Sequence, residues 1–296
     1  NRIVYASNHR SHADWMVQPL VLDDNGIRPP VIAAGSNLFG GALGLIQKHV
    51  TGAIPVRRDT KDPAYLVTLK AYVAELLRRT ELLLYLEGGR SYNGELKPFK
   101  TGLLHAAAQA DRNDMVVIPT AIAYDLVIED FVLSRQGVKR VQRPFHQELA
   151  EMLRYTVGYH SRSIVTFGRP IRFDDYDPDD RRDMVRLKRR VREAIGRLYK
   201  VTPTALVAAA IRPSISRVEL EGRIDQLIGI LESAGANLDV ATGREAVEAA
   251  REPLAARGII VVEGQRFRVR ERVVLRYYAR SLDHLLAHRG ESALTH

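Results

Sequence analysis

The chain has 296 residues, 44 lysines and arginines against 35 aspartates and glutamates, a formal net charge of +9 and no cysteine. That length can bury one large core or two ordinary ones, and the missing cysteine excludes disulfides, thiol nucleophiles and thiolate-bound metals. The positive balance suits an anionic partner (nucleic acid, an acidic membrane surface or a phosphorylated substrate) and composition alone does not choose among them.

In chain order, residues 3–6 form an apolar run that predicts a strand, and the chain opens almost inside it, as expected of a piece of a longer protein. His9-Arg10-Ser11-His12-Ala13-Asp14 follows. A carboxylate bonded to one imidazole nitrogen fixes the tautomer and favours the imidazolium formed when the other nitrogen takes a proton. His9 and Asp14 are spaced for those roles just past a strand end. A capping aspartate beside a surface histidine is the plainer alternative. Residues 14–22 predict a helix stopped by Asp23-Asp24-Asn25-Gly26, residues 30–34 a strand, and residues 38–48 a buried helix. The apolar run inside that helix is about half of the roughly 18–20 residues needed to span a bilayer.

Residues 53–56 predict a brief strand leading into Arg57-Arg58. Asp62-Pro63 is a helix start, an N-cap acid followed by proline at the first helical position, with Leu66, Leu69, Val73, Leu76 and Leu77 at helical spacing behind it. Residues 82–86 are a continuous apolar run, as in a strand covered on both faces, and Glu87-Gly88-Gly89-Arg90-Ser91 follows. Two glycines let the backbone turn tightly and approach a ligand, and Arg90 offers a planar fork suited to phosphate. Lys100 stands just before a helix predicted over 102–109, whose N-terminus favours an anion. Residues 115–124 and 163–167 predict two more strands. The polar, basic stretch 131–159 has no clear period and suits a solvated face or a surface turned to a membrane or acyl donor. Residues 181–199 predict a helix with one apolar stripe and several arginines.

This alternation predicts an α/β fold, a mostly parallel sheet flanked by helices, over residues 1–200. A smaller, mainly helical C-terminal domain is expected over residues 201–296: helices at 204–211, 217–234, 244–256 and 273–287, with a hairpin turning at Glu263-Gly264-Gln265. Such an order could form a winged-helix-like unit.

The ordered blocks His9 to Asp14, Gly52 to Arg58, Glu87 to Ser91 and Val117-Ile118-Pro119 resemble those of the glycerolipid acyltransferases, nearest the bacterial glycerol-3-phosphate 1-O-acyltransferases and the related dihydroxyacetone-phosphate acyltransferases. Val201-Thr202-Pro203 and the stretch from Leu275 to Leu282 resemble the same branch, so the likeness covers most of the chain. Tyr92 and Pro55 depart from the pattern, where the family often has a second basic residue and a bulky apolar one.

The resemblance implies transfer of a fatty acyl group from acyl-CoA or acyl carrier protein to the sn-1 hydroxyl of glycerol 3-phosphate, the first step of phospholipid synthesis. No cofactor beyond the acyl donor and no metal is expected. His9 would be general base and Asp14 its orienter. Arg57, Glu87, Gly88, Gly89, Arg90 and Ser91 would hold the acceptor, with Arg58 and Lys100 as further members. The product class implies peripheral attachment to the cytoplasmic face of the cell membrane, with no nucleic-acid partner. Rival readings are dihydroxyacetone-phosphate or lysophosphatidate acylation, a covalent route through Ser11 or Ser91, a metal hydrolase built on His9, His12 and Asp14, and a basic membrane- or nucleic-acid-binding module.

Overall fold

A computed structural model describes residues 2–35, 53–57, 60, 62–110, 114–139 and 161–287. The helix expected over 38–48, Arg58 and most of the basic stretch 131–159 lie outside the described residues.

Seven strands form the main sheet: β1 (Arg2–Ser7), β2 (Val31–Gly35), β3 (Ile54–Val56), β4 (Leu82–Tyr85), β5 (Met115–Tyr124), β6 (Ser163–Phe167) and β7 (Ile171–Arg172). Their order is β3-β2-β4-β1-β5-β6, with β7 on β5. The pairings among β1 to β5 are parallel and β7 runs antiparallel. Val4, Ala6, Leu82, Leu84 and Val117 are buried, and so are Tyr5 and Leu83, whose side chains alternate with them. Strands covered on both faces read as unbroken apolar runs, which is why β1 and β4 carry little polar alternation.

The chain separates into two compact units, the first made of residues 1–89, 98–121 and 165–195. Here helix α1 (Asp14–Asp24) packs Leu22 against Tyr5, Ile32 and Leu83. Helix α2 (Pro63–Arg79) starts as the sequence indicates: the Asp62 carboxylate accepts from the amides of Ala64 (3.0 Å) and Tyr65 (3.4 Å), and Pro63 needs no partner at the first helical position. Helix α3 (Gly102–Ala108) follows Lys100. In register, Ser7 lies opposite Tyr85 and Thr120, and Gly35 opposite Val56. The carboxyl ends of β1 to β4 therefore open at one edge of the sheet, where open α/β sheets receive ligands.

The second unit comprises residues 90–97, 122–164 and 196–296. The basic stretch begins as a helix, α4 (Asp130–Lys139), that sequence periodicity does not announce. Asp130 is fully buried and accepts from Arg257 Nη2 (2.8 Å) and the Tyr278 hydroxyl (2.7 Å). Burial pushes its pKa up, while Arg257 and Tyr278 oppose the rise. The basic helix read from sequence, α5 (Arg181–Leu198), runs to the start of this unit's final stretch. Helices α6 (Pro203–Ala210), α7 (Arg217–Ser233) and α8 (Gly243–Ala256) are each capped by a hydroxyl, from Thr202, Ser216 and Thr242. β9 (Ile260–Glu263) and β10 (Arg266–Val269) form an antiparallel hairpin, and β10 also pairs with β8 (Ser214–Ser216), a winged-helix-like order. The single last helix expected over 273–287 is broken. α9 (Arg272–Ala279) tightens into a 3₁₀ turn at Arg280–Leu282, where the Ser281 hydroxyl donates to the Tyr278 carbonyl (2.6 Å), before a last helical turn at Asp283–Leu286.

Candidate active site

Beyond β1 the chain loops through Asn8 to Ala13 and enters α1 at Asp14. The Asp14 carboxylate folds back over that loop and is fully buried. One of its oxygens, Oδ2, accepts from His9 Nδ1 (2.8 Å), the Arg10 amide (2.7 Å) and the Ser11 amide (3.1 Å). A carboxylate only accepts, so Nδ1 carries the proton and Nε2 keeps its lone pair. The helix start, the loop and the imidazole are thus locked by a single atom.

A second carboxylate fixes the same histidine from the end of β4. Glu87, also buried, accepts the His9 backbone N–H at Oε1 (2.9 Å). Tyr85, two residues earlier, stacks its ring on the imidazole with centroids 4.4 Å apart and planes 22° from parallel. Burial and the nearby Asp14 charge push the Tyr85 hydroxyl well above its usual range. The glycine turn then follows. Gly88 has φ +67°, and a Cβ there would sit 2.8 Å from Cδ and 2.9 Å from Cε of Lys100. Glycine therefore serves both the left-handed backbone and the lysine stem laid across it. The Lys100 amide donates to the Leu86 carbonyl (2.7 Å), tying the two halves of this motif together.

These groups border a cavity of about 600 Å³ within the first unit. Its walls are mainly apolar, with Ile32, Val56, Leu66, Leu84 and Leu103 among them. Its described polar lining includes the imidazoles of His9, His12 and His105, the hydroxyls of Thr60 and Tyr85, and the cations Arg57, Lys70 and Lys100, with no carboxylate among the described lining residues. Arg57 is exposed, with its guanidinium carbon 5.4 Å from the centroid of the Tyr65 ring and its amide donating to the Tyr65 hydroxyl (2.8 Å). Such a space suits a molecule with a long apolar part and an anionic group, held beside a base.

Of the sequence-selected residues, the cavity brings together His9, Arg57, Gly88, Gly89 and Lys100, with Asp14 and Glu87 bonded directly to His9. Arg90 and Ser91 belong to the second unit. There the buried Arg90 pairs with Glu129 (3.2 Å), and Ser91 Oγ donates to the Glu95 carbonyl (2.8 Å). Ser11 is fully buried, its Oγ accepting from the Ala13 amide (3.0 Å). Among the described residues, no group of three or more His, Asp or Glu side chains is arranged to hold a metal. Sequence reasoning missed Lys70, Tyr85 and His105. Only Lys70 left a signal, standing seven residues after Pro63 and four after Leu66 on one helical face.

Residues 1–123 match the acyltransferase family model. A Mycobacterium tuberculosis protein, plsB1, which its name presents provisionally as an acyltransferase, is 32% identical over 226 residues, covering 71% of this chain and 36% of that protein. The glycerol-3-phosphate acyltransferase of Aeromonas hydrophila is 34% identical over 185 residues, covering 60% of this chain and 22% of its own length. That of Pasteurella multocida is 32% identical over 183 residues with the same coverage. The chain thus spans 36% or less of the curated relatives it matches.

Proposed function

We propose, for a chain whose first 123 residues are an acyltransferase-family domain, that it transfers a fatty acyl group from a thioester donor, acyl-CoA or acyl carrier protein, to the sn-1 hydroxyl of glycerol 3-phosphate. One observation carries this reading: His9, bonded to Asp14, borders a mainly apolar cavity whose charged residues, among those described, are all cationic. The names of the Aeromonas and Pasteurella relatives support the choice of acceptor.

In the proposed mechanism both substrates occupy the cavity at once. His9 Nε2 takes the proton as the acceptor oxygen attacks the thioester carbonyl. The carbon–sulfur bond then breaks, and the leaving thiolate recovers that proton from the imidazolium. Asp14 holds the ring's tautomer and stabilises the imidazolium, while Glu87 and the Tyr85 ring hold its position. Arg57 and Lys100 bind the acceptor phosphate. A thioester is already activated, so general-base help of about 10²–10⁴-fold, with positioning, supplies the rate. The covalent alternatives are disfavoured by the engagement of both hydroxyls, Ser11 with Ala13 and Ser91 with Glu95.

Attachment to the membrane is proposed as peripheral: among the described residues no helix is long and apolar enough to cross a bilayer, and apolar plus basic surface can hold a protein at anionic lipid. The test of the reading is a transfer assay crossing glycerol 3-phosphate and dihydroxyacetone phosphate with acyl-CoA and acyl carrier protein. Turnover with glycerol 3-phosphate and either donor supports it, and no turnover in any arm overturns it.

A further inference from the structure

We propose that Lys70 is a phosphate-binding residue of the cavity, a role that rests on the acyltransferase reading and extends it. Pro63, Leu66, Val67 and Lys70 all border the cavity, and their spacing of three, four and seven residues puts them on one face of α2. The same face continues into the buried Val73 and Leu77, three and seven residues after Lys70. Lys70 thus interrupts an apolar, cavity-facing row with an ammonium group.

That group is half-buried and forms no ion pair or hydrogen bond among the described residues. Many comparable lysines on the outer faces of helices need no partner because water surrounds them. Lys70 shares its cavity with mainly apolar residues and two other cations, Arg57 and Lys100, with no carboxylate among the described lining residues. A bound phosphate dianion would give the ammonium an anionic partner, and charge-assisted hydrogen bonds to phosphate are among the stronger polar contacts.

Two phosphate sources fit the proposed reaction: the acceptor's phosphomonoester and the phosphates of the donor's carrier. The plainer alternative is a lysine whose stem covers apolar surface while its ammonium reaches solvent. It predicts no effect on ligand binding.

Calorimetric titration of the full chain decides the matter without requiring turnover. Wild type, Lys70→Met and Lys70→Arg are each titrated with glycerol 3-phosphate and, separately, with CoA. Removing one charge-assisted contact should weaken at least one ligand about 10-fold or more. Lys70→Arg should recover most of the loss, and the melting temperatures of the three proteins should agree. Loss confined to glycerol 3-phosphate identifies the acceptor's phosphate, and loss confined to CoA the donor's. Lys70→Met binding both ligands within about threefold of wild type overturns the proposal. So does equal weakening in Met and Arg variants with a lowered melting temperature, which marks a purely structural role. Wild type binding neither ligand overturns the acyltransferase reading itself, and this inference with it.

Discussion

Asp14→Asn removes a charge from the site while leaving its shape. In the structure one carboxylate oxygen receives all three donors, His9 Nδ1, the Arg10 amide and the Ser11 amide. An asparagine with its carbonyl oxygen at that point keeps the three hydrogen bonds and the buried loop. What disappears is the negative charge beside the imidazolium. Two unit charges about 4 Å apart interact by about 4 kcal/mol at an effective dielectric near 20. Proton transfer is partial in the transition state, so about half to three-quarters of that is felt. At about 1.36 kcal/mol per tenfold, the rate should fall about 10²-fold. The assay is initial-rate acyl transfer to glycerol 3-phosphate, with thermal melting of the same samples. Asp14→Ala serves as the contrast. It strips the acceptor from two buried amides at about 1–3 kcal/mol each, so it should lose stability as well as activity. Turnover of Asp14→Asn within about threefold of wild type would refute the proposed role of the pair.

Other outcomes follow from the same geometry. Gly88→Ala forces a side chain into the left-handed region, at about 1–2 kcal/mol, and pushes its methyl against the Lys100 stem; the midpoint of chemical denaturation should fall and the KM for glycerol 3-phosphate should rise together. Arg90→Ala leaves the buried Glu129 without its guanidinium partner. Loss of one member of such a pair costs about 3–5 kcal/mol, so urea unfolding should shift markedly, and an unchanged midpoint would contradict a stabilising role for Arg90. Alkaline pH should weaken the fold. Burial, with Glu81 beside it, pushes Tyr5 up to about 12, and burial with Asp14 and with Asp130 raises Tyr85 and Tyr278 well above the usual range. Folded-state values above unfolded ones mean that the folded form holds more protons. Stability from these groups is therefore full below about pH 10 and is lost as the pH rises toward the folded values. Phenolate absorbance at alkaline pH should show the last tyrosines ionising together with loss of circular dichroism; their ionisation in the folded protein would contradict this.

Much of the first unit was legible because each of its signals is local. Asp62-Pro63 announces α2 by capping chemistry alone, and residues 82–86 announce β4 because a strand covered on both faces has no polar alternation. The His9–Asp14 pair was legible for the same reason: its partners lie five residues apart. Long-range roles were not. Glu87 stands beside the glycines in sequence, and its carboxylate accepts the amide of His9, 78 residues away. Arg90 reads as a phosphate fork beside the glycines, and its ion pair with Glu129 spans 39 residues. Helix α4 has no local signature because its anchor, Asp130, is a buried acid held by Arg257 and Tyr278, and charge looks like solvent exposure in a sequence. Tyr85 stacking on His9 depends on the register of β1 against β4, which pattern does not specify.

In the proposed reaction one imidazole, that of His9, performs the proton transfer. The most direct measurement is the acyl-transfer rate of His9→Ala with glycerol 3-phosphate, made on protein whose circular dichroism and melting temperature match wild type. General-base catalysis by His9 predicts a fall of about 10²–10⁴-fold. A correctly folded variant that transfers acyl groups at close to the wild-type rate would contradict it.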